Sequence, residues 1–597
     1  MLDQSLKKPM IASERKSMAK LIIADQPSEQ ALYAAQELRY YLERMTGACF
    51  EIESISSEQE RKGPVIALGQ AAVYLGLQRP DHLGEDGFVL KRDQDRILID
   101  GGKRGVIYGA YELLELLGCR FYTPTCEKIP TCENLAMPDV DTCQVPVLEY
   151  RYHNYVDFVS NPSFSVKRRI NGPVPIDEKM GGHLSYVWFV HTFEHYLLDP
   201  KDVFDEHPEY FSLVNGERLR ERPQLCLTSL DVLRITIDKV KRALTEHPES
   251  RIISVSQNDW GNNCTCESCK KIDLEQGSSS GSLIWFVNQV AEAIEHDFPE
   301  VIIDTLAYQY TRPAPRTIRP RHNVCVRLCS IEACFMHSFE TCDDQSRQVT
   351  RPDGSQSSFI RDLEDWSKVS DRLYIWDYTT CFAHYPMPFP NWNVLQPNMK
   401  AFVRNHVKGV FEQACGAGGG STDFNELRAY LLSKLLWDAD CDYEAHMNDF
   451  LNGVYGKAGP VLRRYLKLLT DIVEKENIHV GFNDPCDRPY LTDDRLDQYT
   501  ALFDEAKAAV QDDPIRLARV DKAFLSIRWV RLKNRAMLQN SFDTEETNQF
   551  FADWKAHGLT RMDEWVSEKT SHRALLRNVW RGTQFYKNWW DEGREGR

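Results

Sequence analysis

The sequence lacks the features that would place this protein in a membrane or on nucleic acid. Its 597 residues contain no run of the roughly 18 apolar residues that a transmembrane helix requires. Acidic residues outnumber basic ones by 88 to 72, which gives a net charge of −16. Because phosphate groups bind to basic surfaces, we expect no nucleic-acid partner and no membrane partner.

The first 20 residues lack the apolar core of a secretory signal, and the chain has no phosphate-binding glycine loop of the GK[ST] or GxGxxG type. The 17 cysteines are odd in number and scattered through all regions. Reduced, scattered thiols are typical of cytoplasmic proteins, whereas disulfide frameworks occur in secreted ones. We therefore expect a cytoplasmic protein.

Hydrophobic periodicity divides the chain into four segments. Residues 1–20 form a polar lead-in, and residues 21–145 mix short apolar strands with amphipathic helices, which predicts a small α+β domain. Residues 146–440 alternate strand-like runs with helices or loops. Residues 441–597 show only the 3.6-residue period, which predicts an α-helical domain.

The segment 146–440 contains eight strand-like runs, the number that closes a parallel barrel. We therefore predict an α/β fold with a (β/α)8 TIM-like barrel. The first two connections lack clear helices, which leaves a distorted barrel or an open doubly wound sheet as alternatives. The runs are residues 148–156, 186–193, 224–229, 251–260, 301–310, 324–335, 372–382 and 409–416.

Residues 251–310 show the βαβ pattern most clearly. An apolar strand ends in SQNDW, a helix follows over 282–297, and a second strand ends in YQY. The helix carries one apolar stripe, formed by Leu283, Phe286, Val287, Val290 and Ile294. In such units ligands bind at the carboxyl ends of the strands, which is where these polar groups stand.

Polar and aromatic residues also stand at the ends of the other predicted strands. Four of them are carboxylates from four strands, and they are the candidate catalytic residues: Glu332, Glu412, Asp259 and Asp377. The candidate substrate-binding residues are His153, Asn154, His191, Gln257, Asn258, Trp260, Tyr308, Tyr310, Arg327, Trp376, Tyr378, Gln413 and Trp392. Trp392 lies in a proline-rich loop, where it would stack on a sugar.

Two carboxylates surrounded by aromatic and amide groups are typical of the active sites that hydrolyse glycosidic bonds. One acid must stay protonated and the other must act as nucleophile, base or stabiliser of an oxocarbenium-like charge. Any one of the four acids, taken alone, is more often salt-bridged or a helix cap. We expect Glu332 to be the general acid/base and Glu412 its partner, with Asp259 and Asp377 as alternatives.

Six motifs, in order, resemble the bacterial proteins once grouped as domain of unknown function 4838 and later classed as glycoside hydrolase family 163. They are SVSQNDW, NNCTCESCKKIDLEQGSSSGS, IDTLAYQYTRPAP, RLCSIEACF, LYIWDYTTCFAHYPMPFPN and GVFEQ. This resemblance implies a barrel with endo-β-N-acetylglucosaminidase activity on antennae of complex N-glycans, or on oligosaccharides derived from them. The N-terminal segment resembles the small domain that precedes the barrel in α-glucuronidases and β-hexosaminidases.

Two other functions remain open at this point: an exo-acting uronidase, and a carbohydrate-binding protein without catalysis. A uronidase would need a cationic clamp for the sugar carboxylate, for which the sequence offers Arg327. The expected partner is an oligosaccharide in each case, and the oligomeric state is left open.

Cys264, Cys266 and Cys269 form a CxCxxC motif in the loop after SQNDW. Three such thiolates, with a fourth from Cys329, Cys334 or Cys342, would hold a structural zinc ion. The alternative is free thiols that pack the loop. No His falls within the motif, so we expect no catalytic metal and no other cofactor.

Overall fold

The computed structural model describes residues 8–57, 63–416, 420–538 and 543–564. The chain divides into two compact units. The first comprises Met1–Arg151, Asp157–His183 and Leu436–Asp438, and the second comprises Tyr152–Val156, Leu184–Leu435 and Ala439–Arg597. Contacts thus assign residues 157–183 to the first unit, although the sequence pattern placed them in the barrel segment.

The first unit is built on a six-stranded mixed sheet. Its strands are β1 (Lys20–Ala24), β2 (Ile52–Ile55), β3 (Val65–Leu68), β4 (Phe88–Asp93), β5 (Arg96–Gly101) and β6 (Asp141–Gln144). They lie in the order β6-β4-β5-β3-β1-β2, and the pairs β5–β3, β3–β1 and β1–β2 are parallel. This mixed sheet agrees with the α+β pattern predicted from the sequence.

Three helices accompany this sheet: α1 (Glu29–Thr46), α2 (Gln70–Tyr74) and α3 (Gly105–Leu116). Helix α1 begins where the Ser28 side chain accepts a hydrogen bond from the Ala31 amide, and it ends at Gly47, whose φ of 70° suits glycine. The remaining short elements of this unit are Met10–Ser13, Lys16–Ser17, Asp81–Leu83, Arg120–Thr123, Cys126–Lys128, Leu135–Ala136, Pro162–Lys167 and Glu178–Met180.

The second unit contains the other six-stranded sheet. Its strands are β7 (Tyr150–His153), β8 (Ile252–Ser254), β9 (Ile302–Ala307), β10 (Val324–Cys329), β11 (Leu373–Tyr378) and β12 (Gly409–Gln413). They lie in the order β7-β12-β11-β10-β9-β8, and the five strands from β8 to β12 pair in parallel. Six of the eight predicted strands are therefore confirmed.

The two other predicted strands differ from expectation. In the run 186–193 one parallel bridge, Tyr186 to Ile252, is formed, and the Val187 amide donates to the Ile252 carbonyl. This segment therefore continues the sheet beyond β8 for only a few residues. The run 224–229 is not a barrel strand, because the Cys226 amide donates to the Tyr210 carbonyl and Leu225 bridges Phe211 in antiparallel fashion.

The parallel sheet is curled into a half-barrel. Phe189 follows the segment beside β8, yet its ring lies 5.9 Å from the ring of Phe411 on β12 and 5.7 Å from that of Trp376 on β11. Strands in a sheet are spaced by about 4.8 Å, so in a flat sheet Phe189 and Phe411 would be separated by on the order of 24 Å. The concave face of the sheet therefore encloses these rings.

Six helices follow or connect the strands of the second unit: α4 (Leu230–Glu246), α5 (Glu267–Gln276), α6 (Ser280–Ile294), α7 (Phe359–Val369), α8 (Leu395–Arg404) and α9 (Asn425–Trp437). The apolar stripe predicted for the helix before β9 lies on α6, and all five of its residues are buried in the core. The link from β9 to β10 has no α-helix and carries Arg312.

The C-terminal part of the second unit is helical, as predicted. It consists of α10 (Tyr443–Tyr455), α11 (Gly459–Lys475), α12 (Asp493–Ala509), α13 (Pro514–Leu538) and α14 (Thr544–Ala556). Shorter elements of this unit are Val156–Val159, Phe193–Leu197, Pro200–Val203, Pro208–Tyr210, Leu213–Val214, Glu217–Arg218, Gln309–Thr311, Gln345–Arg347, Val349–Thr350, Gln356–Ser357, Gly456–Ala458 and Pro489–Leu491. Across the described ranges, none of the helices combines the length and the apolar character needed to cross a membrane.

Candidate active site

Asp259, Tyr308 and Glu332 follow three neighbouring strands, β8, β9 and β10, at their carboxyl ends. The Tyr308 hydroxyl donates a hydrogen bond of 2.8 Å to Oδ1 of Asp259. Nε2 of His191 lies 4.0 Å from the same oxygen. The Asp259 side chain is 44% exposed, so its carboxylate remains open to a ligand.

Glu332 is held at this edge of the sheet by an arginine. Nη1 of Arg312 donates to Oε2 of Glu332 at 3.1 Å, and its Nε donates to Asp362 at 2.7 Å. The Glu332 side chain remains 26% exposed. Burial raises the pKa of Glu332 above its ordinary value, and the Arg312 charge opposes this rise. The site therefore favours a Glu332 that keeps its proton to a higher pH than a surface glutamate does.

Tyr378, the last residue of β11, connects these acids. Burial raises its pKa well above the ordinary value, and the negative charges of Glu332 and Asp259 add to this effect, so both acids lie within electrostatic reach of one phenol. Its ring also packs near Phe335, Phe382 and Phe482, at centroid distances of 5.6 to 6.2 Å. Tyr378, Phe335 and Phe382 are each at most 5% exposed, so these rings form a buried apolar layer beside the acids.

Asp377 and Glu412 form a separate pair. They are register partners on β11 and β12, between the pairs Trp376–Phe411 and Tyr378–Gln413. Since successive side chains on a strand point to opposite faces, and Trp376, Phe411 and Gln413 contact one another on the concave face, Asp377 and Glu412 point to the convex face. The structure thus separates this pair from Asp259 and Glu332.

The Asp377–Glu412 pair is deeply buried. Asp377 is 5% exposed and accepts hydrogen bonds from the Ser330 hydroxyl and the Tyr378 amide, while Glu412 is 2% exposed. Among the described residues, Oε2 of Glu412 has no hydrogen-bond partner. Burial raises the pKa of Asp377 to about 6, and burial together with the Asp377 charge raises the pKa of Glu412 further. Two such acids cannot both ionise.

Three predicted binding residues of the SQNDW loop position it instead. Gln257 donates to the Tyr308 carbonyl at 2.8 Å and accepts from the Thr311 hydroxyl at 2.9 Å. Asn258 is likewise occupied by backbone groups, and the Trp260 indole donates to the Pro223 carbonyl at 3.1 Å. These contacts orient Asp259 between them.

His191 occupies an uncommon backbone conformation, with φ of 53°. Its Nδ1 lies 2.8 Å from the Gln257 carbonyl, which is consistent with donation by Nδ1–H and leaves Nε2 facing Asp259. Burial lowers the pKa of His191, although the Asp259 charge acts in the opposite direction. A neutral imidazole beside Asp259 therefore suits contact with a ligand hydroxyl.

Arg327 lies inside the half-barrel and is fully buried. It forms an ion pair of 2.9 Å with Asp304, and its guanidinium lies 4.8 to 5.7 Å from the ring centres of Tyr186, Phe189 and Trp376. The Trp376 indole donates to Gln413 at 2.7 Å. These residues form a packed layer beneath the candidate site, as in the cores of parallel barrels.

The other predicted binding residues lie elsewhere. His153 contacts the Ser433 hydroxyl on α9 at 3.2 Å, and Asn154 accepts from the Ala414 amide at 2.6 Å. Burial raises the pKa of Tyr310, and the negative charge of Asp273 adds to this rise. Trp392 packs under the Arg428 guanidinium and lines a cavity of about 340 Å³ between α10 and α11.

The CxCxxC loop brings its three thiols together with Cys226, so that the four sulfur atoms lie within 4.8 Å of one another. Cys329, Cys334 and Cys342 do not supply the fourth thiol. Sulfur atoms of Cys226 and Cys266 are 3.8 Å apart, which matches the edge of a ZnS4 tetrahedron, about 3.8 Å for Zn–S bonds of about 2.3 Å. The Leu213 amide points to Cys264 Sγ at 3.4 Å, as donors to metal-bound thiolates do. This donor set fits zinc.

Sequence reasoning missed Arg312, Phe189 and Cys226. Arg312 follows YQYT in a link without a helix, and its role depends on a buried partner, Asp362, that lies 50 residues away. Cys226 precedes the CxCxxC motif by 38 residues and carries no motif of its own. The available signal was Cys226 within the apolar run QLCLTS.

Residues 121–467 match the family model described as "Domain of unknown function (DUF4838)", and residues 4–113 match the "Glycosyl hydrolase family 67 N-terminus". No curated protein matches the chain in sequence. Among solved structures, the chain is similar to a family GH115 4-O-methyl-α-glucuronidase with specificity for decorated arabinogalactans. The TM-score is 0.55 at 12% identity, over 92% of this chain and 76% of that chain.

Two further alignments have lower scores. A family 89 glycoside hydrolase from Clostridium perfringens, in complex with 2-acetamido-1,2-dideoxynojirimycin, aligns with a TM-score of 0.47 at 12% identity, over 88% of this chain and 65% of that chain. A GH138 enzyme targeting pectin rhamnogalacturonan II aligns with a TM-score of 0.42 at 10% identity, over 94% and 92%. At 12% identity the likeness to the GH115 enzyme shows a shared fold. Because the first family model covers more than half of the sequence, the chain belongs to the DUF4838 family.

Proposed function

We propose that the protein is a glycoside hydrolase whose working carboxyl groups are Glu332 and Asp259. The observation that carries this proposal is their arrival at one edge of the parallel sheet, where Tyr308 binds Asp259 and Tyr378 is within electrostatic reach of both acids. The glycosyl hydrolase family 67 match at the N-terminus and the fold shared with a glucuronidase support the same reaction class.

Glu332 serves as the general acid. Burial raises its pKa, which keeps the proton available for the leaving oxygen to a higher pH than on a surface glutamate. Arg312 limits this rise and fixes the carboxyl group in one orientation. Asp259 is more exposed and receives a hydrogen bond from Tyr308, which stabilises its charged form as nucleophile, base or electrostatic partner.

The substrate that we propose is a glycan containing β-linked N-acetylglucosamine, in an antenna of a complex N-glycan or an oligosaccharide derived from one. Support comes from the six motifs that resemble glycoside hydrolase family 163.

The uronidase alternative is less well supported by the charges near the site. Arg327 is committed to Asp304 beneath the site, and Arg312 is committed to Asp362 and Glu332. A clamp for a sugar carboxylate would have to displace one of these ion pairs, at the cost of leaving a buried charge unpaired. A neutral sugar avoids this cost.

The test is product analysis by mass spectrometry after incubation with an asialo complex N-glycan, an aldobiouronic acid and p-nitrophenyl sugars. Release of galactosyl-N-acetylglucosamine by the wild type, and its absence with Glu332→Gln, would support the proposal. Loss of a single uronic acid would identify the uronidase. No product from any substrate, together with binding of the glycan, would indicate a carbohydrate-binding protein.

We also propose that Cys226, Cys264, Cys266 and Cys269 bind one structural zinc ion. The sulfur geometry and the donor set support this assignment. Purified wild-type protein should contain this zinc by inductively coupled plasma mass spectrometry, and Cys226→Ser should contain one ion fewer. Unchanged zinc in Cys226→Ser would instead favour free thiols that pack the loop.

A further inference from the structure

We propose that Cys334, His337, Cys342 and His479 form a second zinc site, which anchors the loop that carries Glu332. One ligand atom from each residue lies within 4.8 Å of all the others. Three of the residues stand in the loop after β10 with the spacing C-x2-H-x4-C. The fourth, His479, comes from the link between α11 and α12.

The distances match tetrahedral coordination by two sulfur and two nitrogen atoms. Nδ1 of His337 lies 3.5 Å from Sγ of Cys334, and Nδ1 of His479 lies 3.8 Å from Sγ of Cys342. With Zn–S of about 2.3 Å and Zn–N of about 2.05 Å, the S···N edge of a tetrahedron is about 3.5 Å. The two imidazole rings are 4.5 Å apart, centre to centre.

The second nitrogen of His479 supports the assignment. Nε2 of His479 lies 3.1 Å from Oδ1 of Asp343, so this nitrogen carries the proton and Nδ1 is left as the ligand atom. A carboxylate behind a histidine is the usual partner of a metal-bound imidazole, where it fixes the tautomer and the ring orientation. Asp343 is next to Cys342 in the chain, so the loop that carries the ligand Cys342 also supplies the carboxylate that orients His479.

Four protein ligands leave no open coordination position, which is the pattern of structural rather than catalytic zinc. The ion would close a loop between residues 342 and 479, which are 137 positions apart in sequence. The chain already begins this connection, since the Phe335 amide donates to the Val480 carbonyl at 3.0 Å. Glu332 precedes the first ligand by two residues, so the metal would restrict the backbone beside the proposed general acid.

The primary test is metal content, which does not depend on the proposed glycosidase activity. We expect His479→Ala and Cys342→Ser each to contain one zinc ion fewer per chain than the wild type. Cys143→Ser, which changes an exposed cysteine outside both clusters, should retain the wild-type content. Equal zinc in wild type and His479→Ala, or an intact wild-type mass lower by two hydrogen atoms that maps to a Cys334–Cys342 disulfide, would overturn the inference.

Two measurements keep the test valid if those variants fail to fold. In Cys226→Ser this cluster is the one four-ligand group left among the described residues. The cobalt-substituted variant should show visible absorption of a tetrahedral ion with two thiolates; absence of these bands would overturn the inference. Asp343→Asn, an exposed change, should keep the fold and weaken zinc affinity by roughly 10- to 100-fold in competition with a chelator. Asp353→Asn is the matched control, and equal affinity in both variants would count against the role of Asp343 and the site.

The consequence for Glu332 rests on the proposed function. If the wild type hydrolyses the N-glycan, zinc loss at this site should lower kcat more than it raises KM, because the loop would no longer hold the acid in place. Unchanged kcat in a zinc-depleted Asp343→Asn enzyme would separate the metal from catalysis. If the wild type has no activity, the zinc measurements still decide whether the site exists.

Discussion

Two pairs of acids stand at the carboxyl end of the same parallel sheet and differ in the face to which they point. Asp259 and Glu332 are partly exposed, and each is bound by a neighbour that suits a working carboxyl, Tyr308 or Arg312. Asp377 and Glu412 sit one residue out of phase with Trp376 and Phe411 and are buried on the convex face. A shift of one position along each strand therefore places Asp377 and Glu412 on the face opposite to Trp376 and Phe411, away from the candidate active site.

The comparison also concerns protonation. The carboxyl of Asp377 receives two hydrogen bonds, Oε2 of Glu412 has no hydrogen-bond partner among the described residues, and burial raises the pKa of both. Because two buried like charges repel each other, the pair gives up its second proton only at a higher pH than two surface carboxyls would. A raised pKa thus occurs in two environments. Glu332 is partly exposed to a ligand, whereas Asp377 and Glu412 are buried.

The largest effect should come from Glu332→Gln. We expect hydrolysis to fall by at least ~100-fold with the fold retained, because the amide cannot donate the proton that the leaving group requires. The measurement is kcat/KM on the substrate that the product analysis identifies, with circular dichroism to check folding. Glu340→Gln, an exposed change on the same loop, should keep wild-type activity.

Asp259→Asn should cause a loss of similar size, and Tyr308→Phe a smaller one. The Tyr308 hydroxyl stabilises the charged carboxylate by one hydrogen bond, and removing such a bond costs about 1.5–3 kcal/mol, or roughly 10- to 100-fold in rate. Kinetics of both variants and of their double mutant provide the check. If the losses in rate of the two single variants simply add in the double mutant, Tyr308 acts independently of Asp259, which would contradict a role for the hydrogen bond between them.

The pH dependence of kcat/KM should separate the two pairs. Because Glu332 acts in its protonated form and its pKa is raised by burial, activity should fall as pH rises through that pKa. The profile of Glu412→Gln should keep this basic limb unchanged. A basic limb that shifts in Glu412→Gln would place Glu412 in the catalytic machinery.

Among these variants, we expect Glu412→Gln to change activity least and to change stability most. The folded-state pKa of Glu412 lies above its ordinary value of 4.5, so the folded state binds this proton more tightly than the unfolded state does. The free energy of unfolding should therefore decline as pH rises above the ordinary carboxyl range, and glutamine should remove this decline. Thermal unfolding at about pH 8 and about pH 4.5 gives the comparison.

We expect Glu412→Gln to unfold at a higher temperature than the wild type at the upper pH and at the same temperature at the lower pH. Glu340→Gln should match the wild type at both. A loss of activity of ~100-fold in Glu412→Gln would contradict the assignment of this residue to the convex face.

The sequence was sufficient for the elements whose local pattern agrees with their packing. The apolar stripe from Leu283 to Ile294 predicted α6, and six predicted strands are present. The run 224–229 was misjudged because its backbone bonds go to residues 210–212, which no local pattern reveals. The position of Glu332 and Asp259 at strand ends could be predicted, and their partners Arg312 and Tyr308 depended on tertiary contacts.

The face of Glu412 was harder to predict for a physical reason. Both faces of a parallel sheet are buried, so its strands read as continuous apolar runs and not as an alternation. In GVFEQ the flanking Phe411 and Gln413 give no sign of which side is concave. The register with Trp376 decides it, and register is a property of two strands rather than of one.

The ion pair of Arg327 with Asp304 sets the depth of the opening. Arg327 lies two positions before the end of β10, roughly 7 Å below the rim at about 3.3 Å per residue, and rings pack around its guanidinium. In the proposed function, a sugar that enters at the rim would meet this layer of packed rings and the Arg327–Asp304 ion pair. A glycan of several rings would then lie across the mouth, so that the loops after the strands, rather than the interior of the sheet, would supply most of its contacts.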